Sequence, residues 1–199
     1  MGDDVVVASN NPGKAREIAQ ILADTGMRLH PQSEWSVPGV EETGTTFVEN
    51  AIIKARHACR HTGLAAIADD SGIEVDALGG APGIHSARFA GVHGDDEANN
   101  RHLIERLAGV PDTERTARYC CVMVYMAHAA DPTPVIAEGY WEGRVQEQPV
   151  GRNGFGYDPH FRIPQRGCTA AELDAETKNA ISHRGKALAG LAAALGDHG

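Results

Sequence analysis

Residues 65–72 read Ala-Ala-Ile-Ala-Asp-Asp-Ser-Gly, an apolar run that ends in two adjacent carboxylates. The apolar half has the composition of a buried strand, and charges resist burial unless something compensates them. Asp69 and Asp70 are therefore expected where that strand ends, at the edge along which open α/β sheets bind ligands. A solvated turn, a shared proton or a cation would each settle two like charges there. A hard divalent ion such as Mg²⁺ suits the last case, because it takes one or two carboxylates and completes its shell with water and phosphate oxygens. The plain alternative is a surface turn, for which Asp, Ser and Gly are the common residues.

Upstream, VVVAS (5–9) reads as a second buried strand running straight into NNPGK. Pro12 suits a first helical turn, and Ile18, Ile21 and Leu22 recur at helical spacing. Thr46-Phe-Val-Glu49 has the form of a capping box opening a second helix, and Gly63 lies just past its expected end. Downstream, Asp95-Asp-Glu97 puts negative charge at the start of a third helix striped by Leu103, Ile104 and Leu107, and Gly109 stops it. RYCCVMVYMA (118–127) is the longest strand candidate, and the turn-rich DPTP (131–134) returns the chain as VIAEGYW in a hairpin. Thr169-Ala-Ala-Glu172 repeats the capping-box pattern, and Ser182 is placed to cap a final helix through Leu195. Helices and strands alternate early, while the later strands read as antiparallel. This predicts an α/β protein with a mixed sheet, in a single domain over 1–199.

Eighteen Lys and Arg stand against 27 Asp and Glu, a formal charge of 18 − 27 = −9, so a nucleic-acid polymer is not an expected partner. A small anion in a local basic pocket is compatible with that balance. Cys59, Cys120, Cys121 and Cys168 make no CxxC pair and no zinc-like spacing with histidine. They read as reduced thiols of a cytoplasmic protein. No apolar run approaches a membrane span, and Met1-Gly-Asp-Asp4 is acidic where a signal peptide is basic. His30, His57, His61, His93, His102, His128 and His198 form no metal-ligand pattern.

Several stretches carry the residue types of a site. Ser9-Asn10-Asn11-Pro12-Gly13-Lys14 is a strand–loop–helix junction, where free backbone N–H groups favour an anion and Lys14 adds positive charge. It is not a Walker loop, since Ala8 stands five residues before Gly13 and Ala15 follows the lysine. A capped helix with an exposed lysine is the alternative. Glu41 and Glu42 offer a further metal ligand from a neighbouring loop, or solvated surface. Gly154-Phe155-Gly156 holds an aromatic ring on a backbone that can approach a flat ligand, followed by Tyr157 and Asp158. A tight turn with Phe155 or Tyr157 covering the core is equally compatible. Lys178, His183 and Arg184 gather around a helix start capped by Ser182, where cations oppose the macrodipole. These three, like Lys54 on the second helix, serve either a site or solubility. Asp70-Ser-Gly72 also matches the DSG signature of aspartic proteases, which would require a dimer sharing the dyad.

Together these signals describe an enzyme for nucleoside triphosphates. SNNPGK (9–14), FVENAIIKA (47–55), ADDSGIEVDALGGAPGIHSARFAG (68–91), GFGYDP (154–159) and ISHRGKAL (181–188) resemble the Ham1/RdgB family of inosine/xanthosine triphosphate pyrophosphatases. The resemblance runs from residue 5 to about residue 190. It implies a house-cleaning hydrolysis of ITP, dITP and XTP to monophosphate and pyrophosphate. It also implies one or more Mg²⁺ per subunit, a homodimer, and an elongated mixed sheet flanked by helices with two lobes around a central cleft.

Carried over residue by residue, the family's substrate loop falls on Ser9 to Lys14, with Ser9-Asn10-Asn11 standing where relatives often have Thr-Gly-Asn. The catalytic aspartate falls on Asp70, as metal ligand and acceptor of the water proton. Ser71 follows as a substrate contact, Asp69 as a supporting carboxylate, and Glu42 or Glu41 as second metal ligand. Phe155-Gly156-Tyr157-Asp158 matches the base-binding segment, and Lys54, Lys178 and the His183–Arg184 pair match further substrate contacts. Three rivals stay beside this reading, the aspartic-protease one given above and two others. A Maf-type pyrimidine nucleotide pyrophosphatase also opens with a strand–loop–helix, but favours an SPRR loop that this chain lacks. A nucleotide-binding module without chemistry would not need the Asp69–Asp70 pair.

Overall fold

The computed structural model describes residues 4–196; the acidic Met1–Asp3 stretch and His198 lie outside them. The two small apolar runs become neighbours: β1 (Asp4–Val7) pairs in parallel with β3 (Ala65–Val75), Val6 opposite Ala66. On its other side β1 pairs in parallel with β2 (Arg28–Pro31). With β4 (Thr116–Met126), β5 (Val135–Val145), β6 (Phe161–Ile163) and β7 (Cys168–Thr169) they form one seven-stranded sheet, ordered β2-β1-β3-β4-β5-β6-β7. The β5–β6 and β6–β7 pairs are antiparallel, so the sheet is mixed, as the alternation of elements predicts. At the turn joining β4 and β5, Asp131 accepts from the backbone N–H groups of Ala127 and Thr133 at 3.0 and 2.9 Å.

Among the described residues five helices accompany the sheet: α1 (Pro12–Ile21), α2 (Phe47–Thr62), α3 (Asp96–Arg106), α4 (Ala175–Ile181) and α5 (His183–Gly196). The capping box that opens α2 is present on both sides, Thr46 with Glu49, and Gly63 closes the helix at φ +72°. Asp95 caps α3 through Ala98 N at 2.9 Å. One expectation changes. β3 does not stop at Ala68 but continues through both aspartates to Val75, which places Asp69 and Asp70 inside a strand. Ser182 ends α4, a helix started by Asp174, whose side chain accepts from Thr177 N at 2.7 Å, and α5 begins one residue later.

By its internal contacts the chain divides into two compact units, unit 1 (residues 4–70, 121–139 and 183–196 of the described chain) and unit 2 (71–120 and 140–182). The boundaries at 70/71, 120/121 and 139/140 fall inside β3, β4 and β5.

In unit 1 the period-two alternation of strands sorts the core. Val5, Val7, Ile67, Cys121 and Met123 pack with Ile18 and Leu22 of the α1 region and with Leu188 and Leu191 of α5. Val6, Ala66, Ala68, Val122 and Val124 pack with Ala51, Ala55 and Ala58 of α2. The sheet in this unit is therefore covered by α1 and α5 on one face and by α2 on the other. Unit 2 has its own core, built on Ile73, Tyr119, Trp141, Phe161 and Leu103. The four cysteines are free thiols, as expected. Among the described residues, no helix is long and apolar enough to cross a membrane.

Candidate active site

Because side chains alternate along β3, the faces already sorted by the core decide where the aspartates point. Ile67 faces α1 and α5, Ala68 faces α2, so Asp69 returns to the α1/α5 face and Asp70 to the α2 face. Their partners agree. Asp69 meets Lys14 of α1 at 3.0 Å and Arg184 of α5 at 3.4 Å. Asp70 meets Lys54 of α2 at 2.9 Å and Asn50 of α2 at 3.2 Å. Each carboxylate meets a lysine of its own, from the helix covering its own face. That long-range pairing is what allows the strand to run on through two charges.

On the α2 face, Asp70 is 6% exposed. Its Oδ1 accepts from Lys54 and its Oδ2 from Asn50, which lies one helical turn before Lys54. Burial is the largest influence on the carboxyl and, against the pull of Lys54 and Lys14, leaves its pKa raised above 3.8. Burial also opposes the charge of Lys54, but Asp70, Asp69 and Glu42 outweigh it and hold the ammonium in its charged form. Glu42 reaches the same Lys54 Nζ at 3.3 Å. Glu41 is exposed and joins none of these contacts.

On the α1/α5 face, Asp69 and Arg184 are each 2% exposed. Burial raises the cost of the Asp69 charge, yet Lys14, Arg184 and Lys54 more than offset it and hold this carboxyl well below the usual range. Arg184 is held in turn by Glu17 of α1 through a hydrogen bond. Glu17 and Asn50 are site residues that the sequence reading did not single out. Both stand at helical spacing from a lysine that it did: Glu17 three residues after Lys14, and Asn50 four before Lys54.

The Ser9–Lys14 junction forms as expected, with a difference in its donors. Asn11 caps α1, its side chain accepting from Gly13 N at 2.9 Å and Lys14 N at 3.2 Å, and Pro12 opens the helix. Those two N–H groups therefore serve the cap. Ser9 Oγ accepts from Asn11 N, and Asn10 Oδ1 from the Gln32 side chain. The positive element of the loop is the Lys14 ammonium, directed to Asp69. Ser71 follows Asp70 on β3 and begins unit 2. Beside it Gly72 is sterically obligatory, because a Cβ there would collide with Gly83 O and Ser86 Oγ.

Unit 2 carries the aromatic segment. Phe155 is half-buried, and Lys178 Nζ lies 4.8 Å from its ring centroid. Lys178 is itself buried and pairs with Asp158 Oδ2 at 2.7 Å. The same Oδ2 accepts from Phe155 N at 3.0 Å, while Asp158 Oδ1 accepts from the Tyr119 hydroxyl at 3.2 Å. Asp158 thus acts as the hub that orients Phe155 and Lys178. Gly154, at φ +75°, passes so close that a Cβ would land on Asp158 Oδ2. Tyr157 belongs to the core, its hydroxyl donating to Ser86 O at 2.7 Å, so of the two aromatic rings only Phe155 keeps a partly open side. Lys178 and the His183–Arg184 pair, neighbours in sequence, are divided between the units: Lys178 serves Asp158, and Arg184 serves Asp69 and Glu17.

Two carboxylate oxygens, Glu42 Oε1 and Asp70 Oδ1, converge on the single cationic nitrogen of Lys54. Hard oxygen donors around one positive point are the chemistry that Mg²⁺ takes. Among the described residues no group of three or more His, Cys, Asp or Glu is placed to hold a metal; Asp70 and Glu42 are the two carboxylates that meet at Lys54.

The sequence matches the Ham1 family over residues 5–194. It is 59% identical over 184 residues to a dITP/XTP pyrophosphatase of Thioalkalivibrio sulfidiphilus, covering 92% of this chain and 94% of the relative. It is 56% identical over 191 residues to a dITP/XTP pyrophosphatase of Vibrio vulnificus, covering 96% of each. A solved HAM1 protein from Coxiella burnetii superposes with a TM-score of 0.91 at 49% identity, covering 99% of this chain and 100% of that one.

Proposed function

The chain belongs to the Ham1 family, and from that premise we propose that it is a house-cleaning pyrophosphatase hydrolysing dITP, ITP and XTP to the nucleoside monophosphate and pyrophosphate. The observation that carries the reading is identity above one half, over nearly the whole of both chains, with proteins named dITP/XTP pyrophosphatases. The geometry of unit 1 supports the chemistry.

Asp70 is the catalytic group. Water attacks the α-phosphorus, its proton passes to the Asp70 carboxylate, the α–β bridging bond breaks, and pyrophosphate leaves. Burial raises the pKa of Asp70, which makes it a better proton acceptor than an exposed carboxylate. Asn50 fixes the orientation of the carboxyl by holding Oδ2. Lys54 and Lys14 oppose the negative charge that grows on the phosphate oxygens, in a partly buried setting where such charges act strongly. Asp69 holds Lys14 in place, and Arg184 holds Asp69. Asp70 and Glu42 are the residues that would hold Mg²⁺, whose charge, when it is bound, polarises the phosphate oxygens.

For the base we assign Phe155 as the stacking surface and Lys178, His183 and Arg184 as contacts, with Ser9 to Lys14 and Ser71 toward the rest of the substrate. Hypoxanthine and xanthine carry a 6-oxo acceptor where adenine has a donor, so an N–H or cationic donor at that position leaves adenine unpaired. Guanine shares the 6-oxo group and must be refused at C2, where a second donor accepts the oxygen of xanthine, tolerates the hydrogen of hypoxanthine and repels an amino group. The test is a panel of ITP, dITP, XTP, GTP, ATP and UTP with and without Mg²⁺, measuring monophosphate and pyrophosphate together. ITP and XTP are expected far ahead of the others. Equal turnover of GTP would overturn the C2 argument, and preference for UTP would favour the Maf-type rival.

A further inference from the structure

Helix α3 has no part in the chemistry assigned above, yet two of its side chains grip the glycine beside Phe155. Asp96 Oδ2 accepts from Gly156 N at 2.7 Å, and Asn100 Nδ2 donates to Gly156 O at 2.8 Å. The two residues are four apart and share a face of the helix. The Asn100 amide has a defined orientation, because the same Nδ2 also donates to Asp96 O at 2.9 Å, and only the amine end can serve two carbonyls. With the Asp158 bond to Phe155 N, side chains hold three backbone groups of these two residues: Phe155 N, Gly156 N and Gly156 O. The Asn100 Oδ1 atom, buried on the other end of the amide, has no hydrogen-bond partner among the described residues. Asn100 is thus placed as a clamp, its amine end spanning from the helix backbone to the Gly156 carbonyl.

We propose that Asp96 and Asn100 are positioning residues for base selection, clamping the Gly156 peptide so that the Phe155 ring is presented to the purine at a fixed height and tilt. This rests on the purine triphosphate reading given above. A ring free to shift would still stack on any flat base, but would no longer hold it in register with the polar groups that distinguish one purine from another.

The experiment compares Asp96→Ala, Asp96→Asn, Asn100→Asp and wild type for ITP and GTP hydrolysis, with thermal unfolding of each protein as a fold check. Asp96→Ala removes the acceptor, whereas Asp96→Asn keeps an oxygen that can accept from Gly156 N. Asn100→Asp removes the donor at constant shape. For Asp96→Ala and Asn100→Asp we expect KM for ITP to rise about tenfold, the equivalent of one lost hydrogen bond, with kcat within about twofold. The ITP-to-GTP ratio of kcat/KM should fall about fivefold or more, and Asp96→Asn should restore wild-type values. Should Asp96→Ala fail to fold, Asn100→Asp carries the comparison alone. Unchanged KM and unchanged selectivity in a folded variant would overturn the inference, as would equal losses on both substrates through kcat. A wild-type protein that releases no pyrophosphate from ITP would overturn the functional reading itself, and is recognised before any variant is compared.

Discussion

Asp69 and Asp70, adjacent on β3, face opposite sides of the sheet, Asp69 toward Lys14 at 3.0 Å and Asp70 toward Lys54 at 2.9 Å. Two like charges that crowd each other in sequence are thus turned to opposite faces by the pleat, each in contact with a different lysine. The two carboxylates live in different electrostatic settings, and that difference makes their variants distinguishable.

Stability should separate them. Asp69→Asn takes from Arg184, 2% exposed, one of its carboxylate partners, and breaking such a buried pair costs about 3 kcal/mol. For a chain of this size that lowers Tm by roughly 6–12 °C. Asp70→Asn neutralises a group that burial already pushes toward neutrality, so Tm should stay level or rise. Calorimetry on both variants checks the contrast, and equal losses would refute it.

Activity should rank them the other way in kind. Asp70→Asn keeps the shape but removes the proton acceptor and a ligand charge, and kcat for ITP should fall by about 10²–10⁴-fold in a folded protein. Pyrophosphate release, read against circular dichroism, measures this; near-normal turnover would show that another group takes the proton.

The pH dependence follows from the opposite shifts. Asp69 has its folded pKa depressed, so its contribution to stability is present above the unfolded value near 3.8 and is lost as pH falls through the folded value. Asp70 has its folded pKa raised above 3.8, so the wild type loses stability as pH rises between the two values and then levels off. Urea unfolding from pH 2 to 7 should show the Asp69→Asn deficit shrinking below about pH 4, and the Asp70→Asn gain appearing only above it. A deficit of constant size at all pH values would contradict the assignment of Asp69.

Gly154→Ala should damage the aromatic segment without reaching the phosphate side. The new Cβ lands on Asp158 Oδ2 at a left-handed φ of +75°, so Asp158 must release Phe155 N or Lys178. Strain of this kind costs about 1–3 kcal/mol. The expected kinetic result is a KM increase for ITP larger than any change in kcat; an unaltered KM would remove Asp158 as the hub.

Chelation with EDTA should abolish turnover, and added Mg²⁺ should restore it. In Glu42→Gln the Mg²⁺ concentration giving half-maximal rate should rise about tenfold, as expected when one of two carboxylate ligands is lost. No change in that concentration would remove Glu42 from the metal site.

Local chemistry was legible in the chain because it is written in local patterns. The Thr46–Glu49 capping box, Gly63 at the end of α2 and the stripe of α3 need only neighbours within a turn or two. The continuation of β3 through two charges was not legible, since what permits it comes from lysines on two helices and from Arg184, 115 residues from Asp69 and 167 from Glu17. For the same reason the sequence leaves Arg184 open between a site and solubility, whereas in the fold it is among the most buried side chains. Asp158 and Lys178 each looked like substrate groups, and only the structure shows that they are bound to each other.

Hydrolysis of ITP in ¹⁸O-water decides which phosphorus water attacks, because the label follows the attacking oxygen into one product. Attack at the α-phosphorus places one ¹⁸O in inosine monophosphate and leaves pyrophosphate unlabelled. Label in pyrophosphate, or release of inosine diphosphate and inorganic phosphate, would contradict the account.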